Sequence, residues 1–224
     1  MPNKNMRPLL GKPMLVHTIE HAQQSGLFER IAVSSDSAAI LELAKARGVD
    51  DLVERPAEMA TDFAAKCPAI HHALTTLEAR HNVRYDTQVD LDVTSPLRLA
   101  DDIRGAVKLL EDRNVSSVIT GTPSRRSPYF NLVEEKSDGH VALAKEPSSE
   151  IIRRQDAPRT FDMDGSIYVW NTNAFRDDPK VFYPDTLLFE MPPERSHDVD
   201  NELDFLIVEM LLQRRDVTMS ERNR

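Results

Sequence analysis

Two periods of apolar residues alternate along this chain, and the alternation predicts its architecture. Met14, Leu15, Ile19 and Ala22, with His17, Thr18 and Gln23 between them, follow the 3.6-residue period of a helix that stops near Gly26. Residues 30–36, Arg-Ile-Ala-Val-Ser-Ser-Asp, form a short apolar run ending in small polar residues, as in a buried parallel strand. A second helix is expected over 38–47, ending at Gly48, then a short strand at Leu52-Val53 and a loop from Arg55-Pro56 to Thr61-Asp62. Ile70, Ala73, Leu74 and Leu77 predict a helix over 68–80, followed by a strand over 87–93 that Thr94-Ser95-Pro96 breaks. Asp101 or Asp102 opens a helix over 103–111, and 115–120 is the next strand. Strand and helix in turn argue for a parallel sheet with helices on both faces.

After Pro123 the rhythm changes. Residues 129–135, 141–145 and 166–170 read as antiparallel strands, joined by Lys136-Ser137-Asp138-Gly139 and a longer loop over 146–164. The inserted stretch, about 124–165, is too thin for its own core and is expected to pack on the main domain or on a second subunit. From Leu203 a 3.6-residue pattern predicts a closing helix over 202–214, with 215–224 a polar tail.

Composition narrows the class. The 224 residues are 40% hydrophobic and 29% charged, as expected for one soluble globular domain. A net charge of −9 without a basic run argues against nucleic acid as a partner, although a metal and a few local cations still permit an anionic nucleotide. Cys67 is the single cysteine, so no disulfide framework exists, and no apolar run approaches membrane-spanning length. The N-terminus carries no signal-peptide core, which makes the cytoplasm the expected compartment.

Chemistry is expected at the carboxyl ends of the strands, where open parallel sheets bind ligands. Those ends carry Ser34, Ser35 and Asp36, then Asp90, Asp92, Thr94 and Ser95, then Thr120 and Thr122. Asp198 and Asp200 lie two apart at the mouth of the last helix, so an extended segment turns both carboxylates to one side, where they suit a hard cation such as Mg²⁺. The alternative is that Asp200 or Asn201 caps the helix. Arg153-Arg154-Gln155-Asp156, with Arg159 and Arg125-Arg126, forms a basic island suited to carboxylate or phosphate. No HExxH, CxxC, GxGxxG, Walker loop or Ser-His-Asp set is readable.

Four segments, in order, resemble one family. Residues 2–15 (Pro-Asn-Lys-Asn-Met-Arg-Pro-Leu-Leu-Gly-Lys-Pro-Met-Leu), the segment Arg55-Pro56-Ala57-Glu58-Met59-Ala60-Thr61-Asp62, Thr94-Ser95-Pro96-Leu97-Arg98 and the acidic stretch from His197 to Asp204 are together similar to the CMP-sialic acid synthetases. That resemblance implies a Rossmann-like α/β nucleotidyltransferase, a single domain over 1–224, with the 124–165 element making a homodimer. It implies transfer of CMP from CTP to a nine-carbon 2-keto sugar acid, with Mg²⁺ or Mn²⁺ and release of pyrophosphate. By position, Lys4 and Arg154 are the expected catalytic residues, and Asn5 and Arg55 bind the nucleotide. Asp92, Gln155 and Tyr168 bind the sugar acid, and Asp198 and Asp200 hold the metal.

This sequence departs from the family at several points. Asp92 replaces a usual glutamine, Phe63 and Lys66 replace small residues, and Asp164 stands where asparagine is common. The family's first strand and glycine-rich phosphate loop would precede Met1, so weak turnover is expected of the 224-residue form. The alternatives are a 3-deoxy-manno-octulosonate cytidylyltransferase and a non-catalytic dimeric scaffold of the same fold.

Overall fold

A computed structural model describes residues 3–60, 66–146 and 153–222, with the side chains of 154 and 216–222 outside that description. The chain opens with a tight hairpin, β1 (Pro8–Leu9) and β2 (Lys12–Pro13), and enters α1 (Met14–Ser25). There follow β3 (Ala32–Ser35), α2 (Ala38–Ala46), β4 (Asp51–Glu54), α3 (Lys66–His81), β5 (Thr87–Leu91), α4 (Ala100–Arg113) and β6 (Ser117–Pro123). The second half adds the hairpin β7 (Val133–Glu135) and β8 (Val141–Leu143), then β9 (Phe161–Asn171), α5 (Thr172–Asp177), β10 (Leu187–Glu190) and α6 (Glu202–Arg222).

The α/β class and the helices on both faces are as expected, and the sheet is mixed. Its order is β10-β6-β9-β5. β10 runs parallel to β6, and β9 is antiparallel to both β6 and β5. Three strands therefore share one direction, with β9 inserted against them. β3 and β4 form a separate parallel pair. Where β6 passes β9 the register shifts between Ile119 and Gly121. A Cβ on Gly121 would lie 2.7 Å from the carbonyl oxygen of Asp162, so only glycine permits this approach.

Side chains alternate across this sheet, as a period of two requires. Val118, Ile167 and Val169 meet Ile103, Ala106, Val107 and Leu110 of α4 on one face. Ile119, Tyr168 and Trp170 meet Cys67, Ile70 and Leu74 of α3 and Phe175 of α5 on the other. A third cluster joins Leu9, Met14 and Leu97 to Val199, Phe205, Val208 and Leu212, docking α6 beside the N-terminal hairpin. Each such side chain, fully buried, contributes roughly 1.5–3 kcal/mol.

Several elements differ from the sequence expectation. β9 begins at Phe161, not 166, and Tyr129 lies outside the β7 strand. α5 and β10 are additional. α6 continues to Arg222, past the expected end at 214, because no Gly or Pro interrupts the run after Leu212. Thr61, Asp62 and Phe63 lie outside the described residues.

His21 carries a pH consequence. It is buried in α1, its Nδ1 lacks a hydrogen-bond partner, and burial, then Arg98 and Arg215, push its imidazole down to about 3. The folded chain thus keeps His21 neutral while the unfolded chain protonates it near 6.5, so stability is full above 6.5 and falls as pH drops toward 3. Between pH 7 and pH 5 this one group is expected to remove about 2 kcal/mol. Urea melts should show that loss in the native chain and not in His21→Met; equal losses would exclude the assignment.

Candidate functional site

The acidic pair sits on a loop tied down on both sides. Val199, fully buried between the two aspartates, donates its N–H to the carbonyl of Thr94 at 2.8 Å. Upstream, Arg195 grips Asp102 through Nε at 2.9 Å and Nη2 at 2.8 Å. Asp102 also accepts the N–H of Leu99, closing the first turn of α4. Downstream, the N-terminus of α6 has its own cap: Asn201 Oδ1 accepts from the N–H groups of Leu203 and Asp204, and Asp204 Oδ2 accepts from those of Asp200 and Asn201. Of the two caps the sequence left open, Asn201 is the one formed, which leaves the carboxylates of Asp198 and Asp200 without that duty.

Lys4 closes the pair from the N-terminal side. It lies in a short 3₁₀ turn, Lys4–Met6, and its Nζ donates to Asp200 Oδ1 at 3.1 Å and to the Val199 carbonyl at 3.2 Å. Arg7 lies 3.8 Å from the Phe205 ring centroid and pairs with Glu202 at 2.6 Å, fixing this turn against α6. Burial, and then the charge of Asp200, hold the Asp198 carboxyl above its ordinary value.

A cleft of about 430 Å³ opens in front of these groups, lined by Lys4, Asn5, Asp92, Thr94, Met163, Asp164, Gly165, Tyr168, Asp198 and Asp200. Its far wall is built from β5 and β9. Tyr168 stacks on Trp170 with centroids 5.6 Å apart, and Trp170 is anchored by its Nε1–H to the Lys180 carbonyl. Gly165, at φ +64°, turns the chain beneath the Tyr168 hydroxyl, where an added Cβ would stand 3.3 Å from it. Lys66 lies on the Tyr168 ring at 4.2 Å and pairs with Asp90 at 2.7 Å and Asp92 at 3.1 Å. Burial alone would lower its ammonium, but Asp90 and Asp92 hold it well above its usual value.

Six expected site residues therefore share one cleft: Lys4, Asn5, Asp92, Tyr168, Asp198 and Asp200. Arg55 is not among its lining residues. It sits at the end of β4, donating to the Ser34 carbonyl at 2.8 Å. Gln155 is exposed on a 3₁₀ turn, Arg154–Asp156, and does not line the cleft either. The Arg154 side chain lies outside the described residues. Met163 escaped the sequence reading, and so did the contact of Lys66 with Tyr168, because the first depends on how β9 pairs with β6 and the second on how α3 packs against β9.

The donor set fits a hard divalent cation. Among the described residues no cluster of three or more His, Cys, Asp or Glu is arranged for a metal. Mg²⁺, however, is commonly held by one or two carboxylates with phosphate oxygens and water completing its shell, and Asp198 with Asp200 offers that set.

Comparisons with known proteins identify the family and the fold. The profile of the family described as "Cytidylyltransferase" matches residues 1–211. "Post-translational flagellin modification protein B" of Campylobacter coli is 37% identical over 215 residues, covering 96% of this chain and 90% of that protein. "CMP-N,N'-diacetyllegionaminic acid synthase" of Campylobacter jejuni is 36% identical over 210 residues, covering 94% and 88%. Among solved structures, a CMP:2-keto-3-deoxy-manno-octonic acid synthetase complexed with CTP superposes with a TM-score of 0.67 at 16% identity, covering 96% of this chain and 93% of that one. At that identity the likeness is one of fold. No described helix is long and apolar enough to cross a membrane.

Proposed function

Because the chain belongs to the cytidylyltransferase family, we propose that it activates a nine-carbon 2-keto sugar acid with CTP, giving the CMP-sugar and pyrophosphate. The observation that carries this reading is the convergence of Lys4, Asp198 and Asp200 with Asp92 and Tyr168 on one cleft. The anomeric hydroxyl oxygen forms a bond to the α-phosphorus, the bond from that phosphorus to the bridging oxygen breaks, and pyrophosphate leaves as the hydroxyl proton is released. Mg²⁺, held by Asp198 and Asp200, supplies charge compensation at the phosphate oxygens when bound.

The chain's own groups orient the reactants. Lys4 fixes Asp200 and carries positive charge to the phosphate side of the cleft, with Asn5 beside it. Tyr168, its ring held by Trp170 and Lys66, lines the sugar side of the cleft, and Asp92 lines the same space. Arg55, Gln155 and Arg154 belong to this reading on resemblance alone. The exposed Val133 and Val141 of the β7–β8 hairpin support its role as the contact with a second copy, and the reaction is assigned to the cytoplasm.

The first sugar acid to supply is a diacetylated legionaminic acid, given the named activity of the Campylobacter jejuni relative. Pyrophosphate release from CTP and Mg²⁺ should occur with nine-carbon acids and be much weaker with the eight-carbon 3-deoxy-manno-octulosonate. Equal or better use of the eight-carbon acid would overturn the substrate assignment. CTP binding without metal dependence or turnover would mark a scaffold.

A further inference from the structure

The wall that faces the sugar differs from the family resemblance in one chemical direction. Asp92 replaces a glutamine and Asp164 an asparagine, so two groups able to donate become carboxylates that only accept. Lys66, in place of a small residue, is the compensating cation: it pairs with Asp90 at 2.7 Å, donates to Asp92 at 3.1 Å and lies 4.2 Å from the Tyr168 ring centroid. What it does is hold Asp92, whose Oδ1 also accepts the N–H of Thr94 at 3.2 Å and its hydroxyl at 3.0 Å. Asp92 retains acceptor capacity toward the cleft that it lines.

Asp164 points to the same requirement. It is 8% exposed and lines the cleft. Its Oδ1 accepts from the Thr120 hydroxyl at 2.5 Å and the Ser166 N–H at 3.0 Å, while Oδ2 has no hydrogen-bond partner. A buried carboxylate oxygen without a donor is costly, and a ligand donor relieves that cost.

We infer that Lys66, Asp92 and Asp164 form a specificity element, in which two oriented carboxylates select sugar acids presenting an N–H or O–H donor to this wall. Lys66 is its positioning residue. The inference rests on the activity proposed above and adds to it the chemical character of the substrate's substituent.

The test compares two nine-carbon keto acids identical except that an acylamino N–H is replaced by an ester oxygen. With the native chain, kcat/KM should favour the amide by about 10-fold or more, since a site built for a donor rejects its isostere. Lys66→Ser should raise the sugar KM by about 10-fold, with Lys66→Arg recovering much of it, because the charge that orients Asp92 returns. Lys66→Ser/Asp92→Gln should be less impaired than Lys66→Ser alone and should narrow the amide preference, while the KM for CTP stays unchanged.

Additive effects of the two substitutions, an unchanged preference, or a shift confined to CTP would overturn the inference while leaving the activity standing. Absence of CMP-sugar from the native chain with every keto acid would instead remove the activity and this inference together.

Discussion

Asp198→Asn is expected to lower kcat for CMP-sugar formation by about 10²-fold or more, since a metal contributes several kcal/mol and 3 kcal/mol already exceeds a factor of 10². Asparagine keeps the size of the side chain and removes its charge. The apparent Mg²⁺ requirement should rise in the same variant, and Asp200→Asn should behave similarly while also releasing Lys4 from its 3.1 Å partner. Stability should move the other way. The Asp198 carboxyl is held above its ordinary value by burial and by Asp200, so at neutral pH its charge opposes folding and its removal should leave the metal-free melting temperature unchanged or raised. A variant that loses activity by unfolding would contradict this account. So would full activity at ordinary Mg²⁺.

The second large effect is on stability. Arg98, fully buried, donates from Nη1 to the Ser166 carbonyl at 2.8 Å and from Nη2 to the Thr18 hydroxyl at 2.7 Å. It ties the turn after β5 to the middle of β9 and to α1. Burial lowers its guanidinium to about 10, opposed by Asp92, Asp90, Asp164 and Asp102, so it stays charged at neutral pH. Arg98→Ala leaves a cavity, a Thr18 hydroxyl without this donor, a Ser166 carbonyl with only the Asp92 N–H, and a wall of carboxylates without their buried cation. The expected loss is about 3–5 kcal/mol, roughly 10 °C in melting temperature for a chain of this size. Arg98→Met, which fills the space without donors, should lose less. A melting temperature within about 2 °C of native for Arg98→Ala would show that this link is dispensable.

Arg98 also illustrates what a sequence does and does not disclose. The motif Thr94-Ser95-Pro96-Leu97-Arg98 signals the family, yet its arginine is a structural tie with no surface in the cleft. Helices were legible because their apolar period is local, and α1, α2, α3 and α4 lie within a few residues of the expected ranges. The antiparallel direction of the 166–170 strand was legible, but its place between β6 and β5 was not, because a strand's local pattern does not name its partners. β10 escaped because Leu187-Leu188-Phe189-Glu190 is short and sits in a proline-rich surrounding. The acidic pair was visible from its two-residue spacing, while its freedom from capping depended on which neighbour accepted the helix N–H groups. Arg55 and Gln155 were named by motif position alone, and neither lines this cleft.

This cleft is proposed to join CMP to a keto-sugar acid. Following CTP, Mg²⁺ and a diacetylated legionaminic acid by phosphorus NMR with the native chain tests it most directly. Loss of the triphosphate signals is expected with matched growth of one phosphodiester resonance and of pyrophosphate, both at least about 10²-fold slower in Asp198→Asn. Intact CTP, or its breakdown to CMP and pyrophosphate without a sugar-linked phosphodiester, would contradict it.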